Sequence, residues 1–397
     1  MPIADALILT FPPKTNLRWW ASIGLAERES HLIRAMLAHH ERIFVLAPTG
    51  GADVLAPFLS VGERARVRTM DIESEFAGGM SLDDALVEEL RDARTVVLQT
   101  RELVDGGLAE SLVPQLRRAS VRTALVAKGG FLPSQVLAAK LAPHDPRTIS
   151  AGLEEQSLCT AAQIVVGASS KMLADLTWRL AIDPARTRLV PNFVIEDGDP
   201  SGPSERDADL LLTWGPLSKP QQVEVLVRAL TLVQEPWRSR VRLEVAGDGP
   251  ERPALEALAG ELGVDVRFLG ELGHAELRAK MRECSLYLHA AAHNPEALGV
   301  LDAMSVGCPV VLANQPGVAE FVENGVNGIR VDATADAFAY AISGMLPDED
   351  WRETLSACAS QQIRSRSSLE RVGGLLAEAH GAALELAGHA TASRAIA

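Results

Sequence analysis

Residues 293–304, HNPEALGVLDAM, combine polar side chains that could bind a ligand with apolar ones at helical spacing. Asn294 and Asp302 lie eight positions apart, and Glu296 lies between them. The leucines and the methionine of the same segment could form the buried stripe of a helix. Polar groups at a loop-to-helix junction can also act as ligand groups, so the segment is a candidate for packing, for binding, or for both.

Three further segments place glycines or charged side chains where a predicted strand runs into a turn. In VAGDGPERPALEAL (245–258) the glycines permit tight turns, and the following helix offers free N–H groups and a positive dipole end. WGPLSKP (214–220) offers Lys219 to a phosphate, and ANQPGVAEFVENGVNG (313–328) offers Glu320 at a helix start. Each also has an ordinary structural interpretation: an empty turn, a solvated lysine and a capping carboxylate.

The composition indicates a soluble globular chain of two domains. At 397 residues the chain exceeds one ordinary core, and two domains of roughly 150–200 residues are expected. The hydrophobic fraction is 47% and the charged fraction is 23%. The net charge of −14 argues against a general nucleic-acid binder, which needs a surplus of Lys and Arg.

Cysteine usage and the terminal sequence point to the cytoplasm. The four cysteines are far apart and form no CxxC pair, which favours reduced thiols over a disulfide framework or a zinc site. The N-terminus MPIADALILTF lacks the basic region and long apolar core of a signal peptide. No apolar run approaches the roughly 20 residues that span a bilayer. The predicted location is cytoplasmic, and peripheral association with the inner face of a membrane stays open.

Short apolar runs alternate with helical patterns throughout the first half, which is typical of a parallel α/β architecture. The predicted strands are Ala6–Thr10, Arg42–Ala47, Val67–Met70, Thr95–Gln99, Thr123–Ala127 and Ile164–Gly167. The predicted helices between them are Leu25–Ala38, Leu82–Arg94 and Leu108–Arg118. Each strand is short and nearly all apolar, as expected where helices cover both faces of a sheet.

A polar stretch then interrupts the alternation, which restarts in the second half. VIEDGDPSGPSERDAD (194–209) is rich in Asp, Gly, Ser and Pro and predicts a linker. The later predicted strands are Leu210–Trp214, Val241–Ala246, Val266–Phe268, Leu286–Ala290 and Val310–Ala313. The later predicted helices are Val223–Val233, Pro253–Leu262, Ala275–Cys284 and Val300–Val306. The predicted division is a domain at 1–195, a linker at 196–209, a domain at 210–370, and a C-terminal helix and tail at 371–397.

The ordered segments of the second half resemble the carboxyl-terminal domain of retaining GT-B glycosyltransferases of group 1, which use nucleotide-sugar donors. The resemblance runs through WGPLS, VRLEVAGDGPERPALEALAGELGVDVRFLGEL, ELRAKMRECSLYLHAA and LGVLDAMSVGCPVVLANQPGVAEFVENGVNGIRV. In the first half, SIGLAERESHLIRAMLAH is similar to the glycine loop and first helix of the family. The resemblance implies the GT-B fold, with two doubly wound Rossmann-like domains that face a central cleft.

The resemblance also implies a donor site in the second domain and an acceptor site mainly in the first. It implies that Gly24 approaches the diphosphate and that Asp302 accepts hydrogen bonds from the ribose hydroxyls. A carboxylate suits a vicinal diol because it offers an acceptor to each hydroxyl. The implied donor-binding residues are Gly24, Gly215, Lys219, Gly247, Leu269, Gly270, Glu271, Leu298, Gly299, Asp302 and Glu320.

The paired acids of the family, Glu-x7-Glu, are changed here. Asn294 and Asp302 occupy their places. Asp302 keeps the second charge on a shorter arm, whereas Asn294 can donate or accept a hydrogen bond but carries no charge. Glu296, two residues later, could substitute for the missing acid. Asn294 and Glu296 are therefore the predicted catalytic residues.

The phosphate-binding Arg and Lys of the family are also replaced, by Pro216 and Gln221. Losing both cations would remove contacts of roughly 1.5–3 kcal/mol each to a diphosphate. Lys219 lies between these positions and could restore a positive charge. In the first domain Trp19 and Trp20 either form a stacking platform for an acceptor sugar or pack their loop onto its own domain.

The predicted function is a metal-independent, retaining glycosyltransferase. It would move a sugar from a UDP- or GDP-linked donor to a hydroxyl of a glycan or small-molecule acceptor. The family stabilises the leaving diphosphate with basic side chains and helix N-termini, so no metal site is expected. One alternative is a catalytically weakened GT-B-like subunit that binds a glycan or a partner transferase. Another is a sugar-nucleotide epimerase of similar shape.

Overall fold

The computed structural model describes residues 2–11, 20–21, 25–47, 52–72, 82–103, 107–195, 206–291, 298–315 and 320–396. The chain forms two compact units. The first unit comprises Met1–Ala21, Leu25–Asn192 and Leu369–Ala397, and the second comprises Ser22–Gly24 and Phe193–Ser368. The C-terminal segment, predicted as a separate helix and tail at 371–397, thus belongs to the first unit.

The described part of the first unit contains a seven-stranded parallel sheet in the order β3-β2-β1-β4-β5-β6-β7. Its strands are β1 Ala4–Thr10, β2 His40–Ala47, β3 Val67–Asp71, β4 Thr95–Thr100, β5 Arg122–Gly129, β6 Ile164–Gly167 and β7 Thr187–Leu189. Nearly every residue of the central strands β1, β4 and β5 is buried, because helices cover both faces of the sheet. The doubly wound prediction is confirmed for this unit.

Helices connect these strands. They are α1 Leu25–Leu37, α2 Ala52–Leu55, α3 Val61–Arg64, α4 Leu82–Glu89, α5 Gly107–Arg118, α6 Pro133–Lys140, α7 Pro146–Ala161 and α8 Ser170–Leu180. Helix α1 buries Leu32, Ile33 and Met36 on one face, as its apolar spacing predicts.

The C-terminal helix of the chain is tied to the first sheet by a chain of buried polar side chains. His380 Nδ1 lies 3.0 Å from His40 Nε2, and His380 Nε2 lies 2.8 Å from Gln99 Oε1. Since Gln99 Oε1 accepts, His380 carries its proton on Nε2 and accepts from His40 through Nδ1. Burial and the neighbouring His39 lower the pKa of His40 to about 4, and burial also lowers the pKa of His380. Both rings are therefore neutral near pH 7.

These histidines predict an acid-sensitive fold. The unfolded chain takes up a proton at His40 below about pH 6.5, whereas the folded chain does so only near pH 4. The free energy of unfolding should therefore fall as the pH drops through this window, by an amount on the order of 3 kcal/mol. Chemical denaturation between pH 7.5 and pH 4 tests this. A His40→Leu/His380→Leu double variant should show a smaller pH dependence than the wild type, and equal slopes would contradict the prediction.

The described part of the second unit contains a six-stranded parallel sheet in the order β10-β9-β8-β11-β12-β13. Its strands are β8 Asp207–Trp214, β9 Arg242–Ala246, β10 Val266–Gly270, β11 Cys284–His289, β12 Val310–Ala313 and β13 Ile329–Val331. Its helices are α9 Val223–Leu230, α10 Arg252–Leu262, α11 His274–Glu283, α12 Leu298–Ser305, α13 Ala335–Met345 and α14 Glu349–Ser367. Helix α15, Leu369–Ile396, is the C-terminal helix that returns to the first unit.

Strand β8 begins earlier than predicted, so residues 207–209 of the predicted linker 196–209 belong to the sheet. Their polar composition indicated a linker, but arginines next to and within β9 pair with them. Arg242 pairs with Asp207, and Arg240 Nη2 lies 3.1 Å from Asp209 Oδ1. The preceding residues 196–205 lie outside the described part of the chain.

The start of helix α12 packs closely against the second sheet because residue 299 is a glycine. A Cβ atom on Gly299 would lie 2.3 Å from Tyr287 Oη and 2.8 Å from Trp214 Cε3. Tyr287 is fully buried on β11, and its hydroxyl donates to the carbonyl oxygen of Trp214 at 3.4 Å. The glycine therefore fixes how near α12 and its side chains approach the ends of β8 and β11.

Gly299→Ala should destabilise the second unit by about 1–3 kcal/mol, because the added methyl overlaps a buried hydroxyl and an indole ring. Chemical denaturation provides the measurement. Gly260→Ala on helix α10 is the matched control, since its Cβ would meet nothing within 4 Å. That control should raise the stability by about 0.5–1 kcal/mol. Equal stabilities of the two variants would show that the close approach is not a constraint.

None of the helices in the described part of the chain is long and apolar enough to cross a membrane.

Candidate functional site

The turns that follow β8, β9 and β10 meet at one edge of the second sheet. Gly215 N donates to Ala246 O at 3.2 Å, and Gly247 N donates to Gly270 O at 2.6 Å. Leu217 N also donates to the carbonyl oxygen of Asp248 at 2.9 Å. Three of the predicted donor-binding glycines are thus brought together by backbone hydrogen bonds at the carboxyl ends of neighbouring parallel strands, where α/β sheets bind ligands.

Gly247 is required for this meeting of turns. Its φ of +113° is in the region that favours glycine, and a Cβ there would lie 2.1 Å from Gly215 O. The glycine-rich GDGP segment therefore allows two backbone segments to approach closely. Leu269 and Gly270 are half-buried beside this contact, and Glu271 is exposed.

Asp302 is the predicted site residue whose charge is most enclosed. It lies on α12 and is 1% exposed. Its Oδ2 lies 3.3 Å from His274 Nε2, and its Oδ1 lies 3.8 Å from Arg278 Nη1. Arg278 Nη1 also donates to Ser305 Oγ at 3.0 Å, and that hydroxyl donates to the backbone oxygen of Asp302 at 2.8 Å. The carboxylate is therefore held by two cationic or polar side chains of helix α11.

The sequence interpretation did not single out His274 and Arg278. They lie four residues apart, on one face of a helix that was predicted to begin at Ala275. That spacing was the available signal, because it places two potential donors side by side. Their partner Asp302 lies 28 positions beyond His274 and 24 beyond Arg278, so only the tertiary packing of α11 on α12 joins them.

Two other buried groups near this site are neutral at pH 7. Burial, with the nearby negative charge of Asp302, raises the pKa of the Tyr287 phenol far above its usual range. Burial lowers the pKa of His289 to about 4, and the His289 ring stacks on Tyr287 with centroids 6.5 Å apart. His289 is 2% exposed and uncharged.

Lys219 lines a cavity of the second unit. The side chain is exposed, and the cavity has a volume of about 300 Å³. Glu224 and Glu251 also line it. A phosphate bound in this cavity would lie near one cation and two carboxylates. Lys219 can therefore bind an anion when its flexible side chain extends away from the two glutamates.

The remaining predicted residues divide into two groups. Leu298 and Glu320 are half-buried, with Leu298 at the first position of α12. Asn294, Glu296 and Gly24 lie outside the described residues. Within the described part of the chain, no group of three or more His, Cys, Asp or Glu side chains could hold a metal ion.

The carboxyl edge of the first sheet carries an aromatic and charged cluster. Trp20 contacts Phe11 edge-on with ring centroids 5.5 Å apart, and the Arg101 guanidinium lies 5.5 Å from the Trp20 ring. Arg101 Nε also lies 3.2 Å from Glu29 Oε2. Trp20 thus packs on its own unit, and Trp19 lies outside the described residues.

Known proteins match this chain most clearly in its second half. Residues 195–362 match the family model for glycosyl transferases group 1. A D-inositol 3-phosphate glycosyltransferase of Geodermatophilus obscurus is 32% identical over 274 residues, or 64% of this chain and 59% of that protein. An uncharacterized glycosyltransferase of Methanocaldococcus jannaschii is 28% identical over 185 residues, or 46% of this chain and 47% of that protein. The chain thus spans about half to three fifths of the length of these relatives.

A solved structure matches the fold of the chain. HepE of Anabaena in complex with UDP superposes with a TM-score of 0.70, covering 94% of this chain and 98% of that chain. The two sequences are 20% identical, so this likeness concerns the fold. The prediction of two Rossmann-like units is confirmed. The second half of the chain is therefore similar to the group 1 glycosyl transferases, and the chain has the GT-B fold.

Proposed function

We propose that the protein is a nucleotide-sugar-dependent glycosyltransferase whose second unit binds the donor nucleotide. The observation that carries this proposal is the enclosed carboxylate of Asp302. It lies on α12, whose start packs against the edge of the sheet, and side chains of α11 contact it. A carboxylate in this setting suits the two hydroxyls of a ribose ring. HepE, which shares the fold, was solved with UDP, and this supports a nucleotide as a ligand of this chain.

In this proposal each part of the donor has a distinct set of contacts. The base lies against the backbone of Leu269, Gly270 and Glu271, next to the close approach at Gly247. The ribose hydroxyls donate to Asp302, whose oxygens together offer about four lone-pair directions. The diphosphate lies near the N-terminal end of α12, where the backbone N–H groups of the first turn and the helix dipole favour negative charge.

The cations that the family places after the first strand of this domain are absent at Pro216 and Gln221. We propose that Lys219, which lies in the same loop and has a flexible side chain, replaces part of their positive charge. Asn294 and Glu296 are proposed to contact the transferred sugar, and Gly24 to approach the diphosphate. Glu320 is proposed to support the loop behind the phosphates.

The proposed reaction is retaining and metal-independent. The bond between the anomeric carbon of the sugar and the leaving diphosphate oxygen breaks as the acceptor oxygen bonds to that carbon on the same face. The proton of the acceptor hydroxyl passes to the leaving oxygen, so the diphosphate serves as the base. Positioning and charge stabilisation then account for catalysis, without a protein nucleophile.

The acceptor is proposed to bind the first unit. One of the relatives is named for D-inositol 3-phosphate, a polyol that carries a phosphate. The carboxyl edge of the first sheet, where doubly wound units bind ligands, is the proposed acceptor region. A hydroxyl of a glycan or small molecule, free or carried by a lipid at a membrane face, is the proposed acceptor class.

Calorimetric titration with UDP and GDP should give a micromolar Kd for one of them. Asp302→Asn keeps the shape of the side chain and removes its charge, so it should raise that Kd by about 10-fold to 100-fold. A donor-hydrolysis assay on the same preparations measures the transfer chemistry. Wild-type protein that binds neither nucleotide at millimolar concentration would contradict the proposal. Nucleotide binding without hydrolysis or transfer would point instead to a catalytically weakened subunit.

A further inference from the structure

We propose that His274 and Arg278 are positioning residues, which hold the Asp302 carboxylate oriented towards the ribose of the donor. The inference rests on the proposed function, in which Asp302 accepts hydrogen bonds from the ribose hydroxyls. It assigns to helix α11 a role in donor recognition, although neither side chain need touch the nucleotide.

The geometry is a buried polar stripe between two helices. His274 and Arg278 lie one turn apart on α11, and Asp302 and Ser305 lie nearly one turn apart on α12. His274 is 8% exposed, Arg278 is 2% exposed, and Asp302 and Ser305 are each 1% exposed. Each donor of α11 therefore faces an acceptor of α12 across an interface that excludes most water.

The two contacts to Asp302 differ in kind. His274 Nε2 is within hydrogen-bond range of Oδ2 at 3.3 Å, which requires the proton on that nitrogen. Arg278 Nη1 is 3.8 Å from Oδ1, too far for a hydrogen bond, while the same nitrogen bonds to Ser305 Oγ at 3.0 Å. Histidine thus fixes the direction of the carboxylate, and arginine places an opposite charge beside it.

Stability alone does not explain this arrangement. Desolvating an arginine and a carboxylate is costly, and apolar side chains of similar size often stabilise such an interface equally well or better. A buried ion pair with a hydrogen-bonded orienting partner is typical of sites where one group must keep a set geometry. The pairing therefore indicates a functional constraint on Asp302.

The position of His274 adds a link to the predicted base contacts. It is the first residue of α11 and follows the short turn after Leu269 and Gly270, the last two residues of β10. The backbone of that turn is held by Gly247 N, and the helix start is held by Glu276, whose Oε2 accepts from Gly273 N at 3.2 Å. One side chain therefore joins the turn proposed for the base to the acid proposed for the ribose.

The test compares UDP with 2′,3′-dideoxy-UDP by calorimetry, or the GDP pair if the wild type prefers guanine. The wild type should bind the ribose form about 10-fold or more tightly than the dideoxy form. His274→Leu should reduce this ratio to about 3 or less, and His274→Gln, whose amide can reach Asp302, should restore most of it. Arg278→Gln and Arg278→Lys form a second pair, with the ratio lost in the first and largely kept in the second.

Ala275→Ser, an exposed neighbour on the same helix, is the matched control and should keep the wild-type ratio. If His274→Leu and Arg278→Gln weaken both nucleotides equally and leave the ratio unchanged, their role is only structural and the inference is overturned. A wild-type ratio near one would overturn it as well. Failure of the wild type to bind any of the nucleotides would instead reject the proposed function itself.

Discussion

The proposed donor site depends on the contacts of the buried Asp302 carboxylate with His274 and Arg278, which join helices α11 and α12. A charge that is 1% exposed persists only with partners, and His274 and Arg278 of α11 provide them. Because these partners come from one face of α11, the carboxylate fixes how α11 packs on α12. Burial and, after it, the same charge raise the pKa of the Tyr287 phenol.

Glycine contacts set the second constraint, which acts on the backbone. Gly247 allows the turns after β8 and β9 to touch, and Gly299 lets α12 approach the ring of Trp214 and the hydroxyl of Tyr287. These approaches bring the start of α12 close to the carboxyl edge of the sheet. The Asp302 carboxylate, held by side chains of α11, and the carboxyl edge of the second sheet, where Gly247 and Gly299 allow close packing, together form the site proposed for the donor nucleotide.

Local pattern was sufficient to predict much of the fold. Near-continuous apolar runs such as Ala4–Thr10 and Val310–Ala313 form buried strands because both faces of each sheet are covered. The ordered motifs of the second half indicated a resemblance to the same family whose model matches residues 195–362. Long-range pairings were not predictable. Arg242 keeps Asp207 in a strand despite its polar surroundings, His380 crosses 340 positions to reach His40, and His274 meets Asp302 only after α11 and α12 pack. Charge and spacing along the chain carry no information on such partners.

The most direct test of the central claim is a crystal structure of the protein with UDP or GDP bound. The account predicts ribose oxygens within about 2.6–3.2 Å of the Asp302 carboxylate, while His274 Nε2 keeps its contact with Oδ2. A nucleotide bound at this edge with its ribose hydroxyls turned away from Asp302, or a nucleotide bound elsewhere, would contradict it.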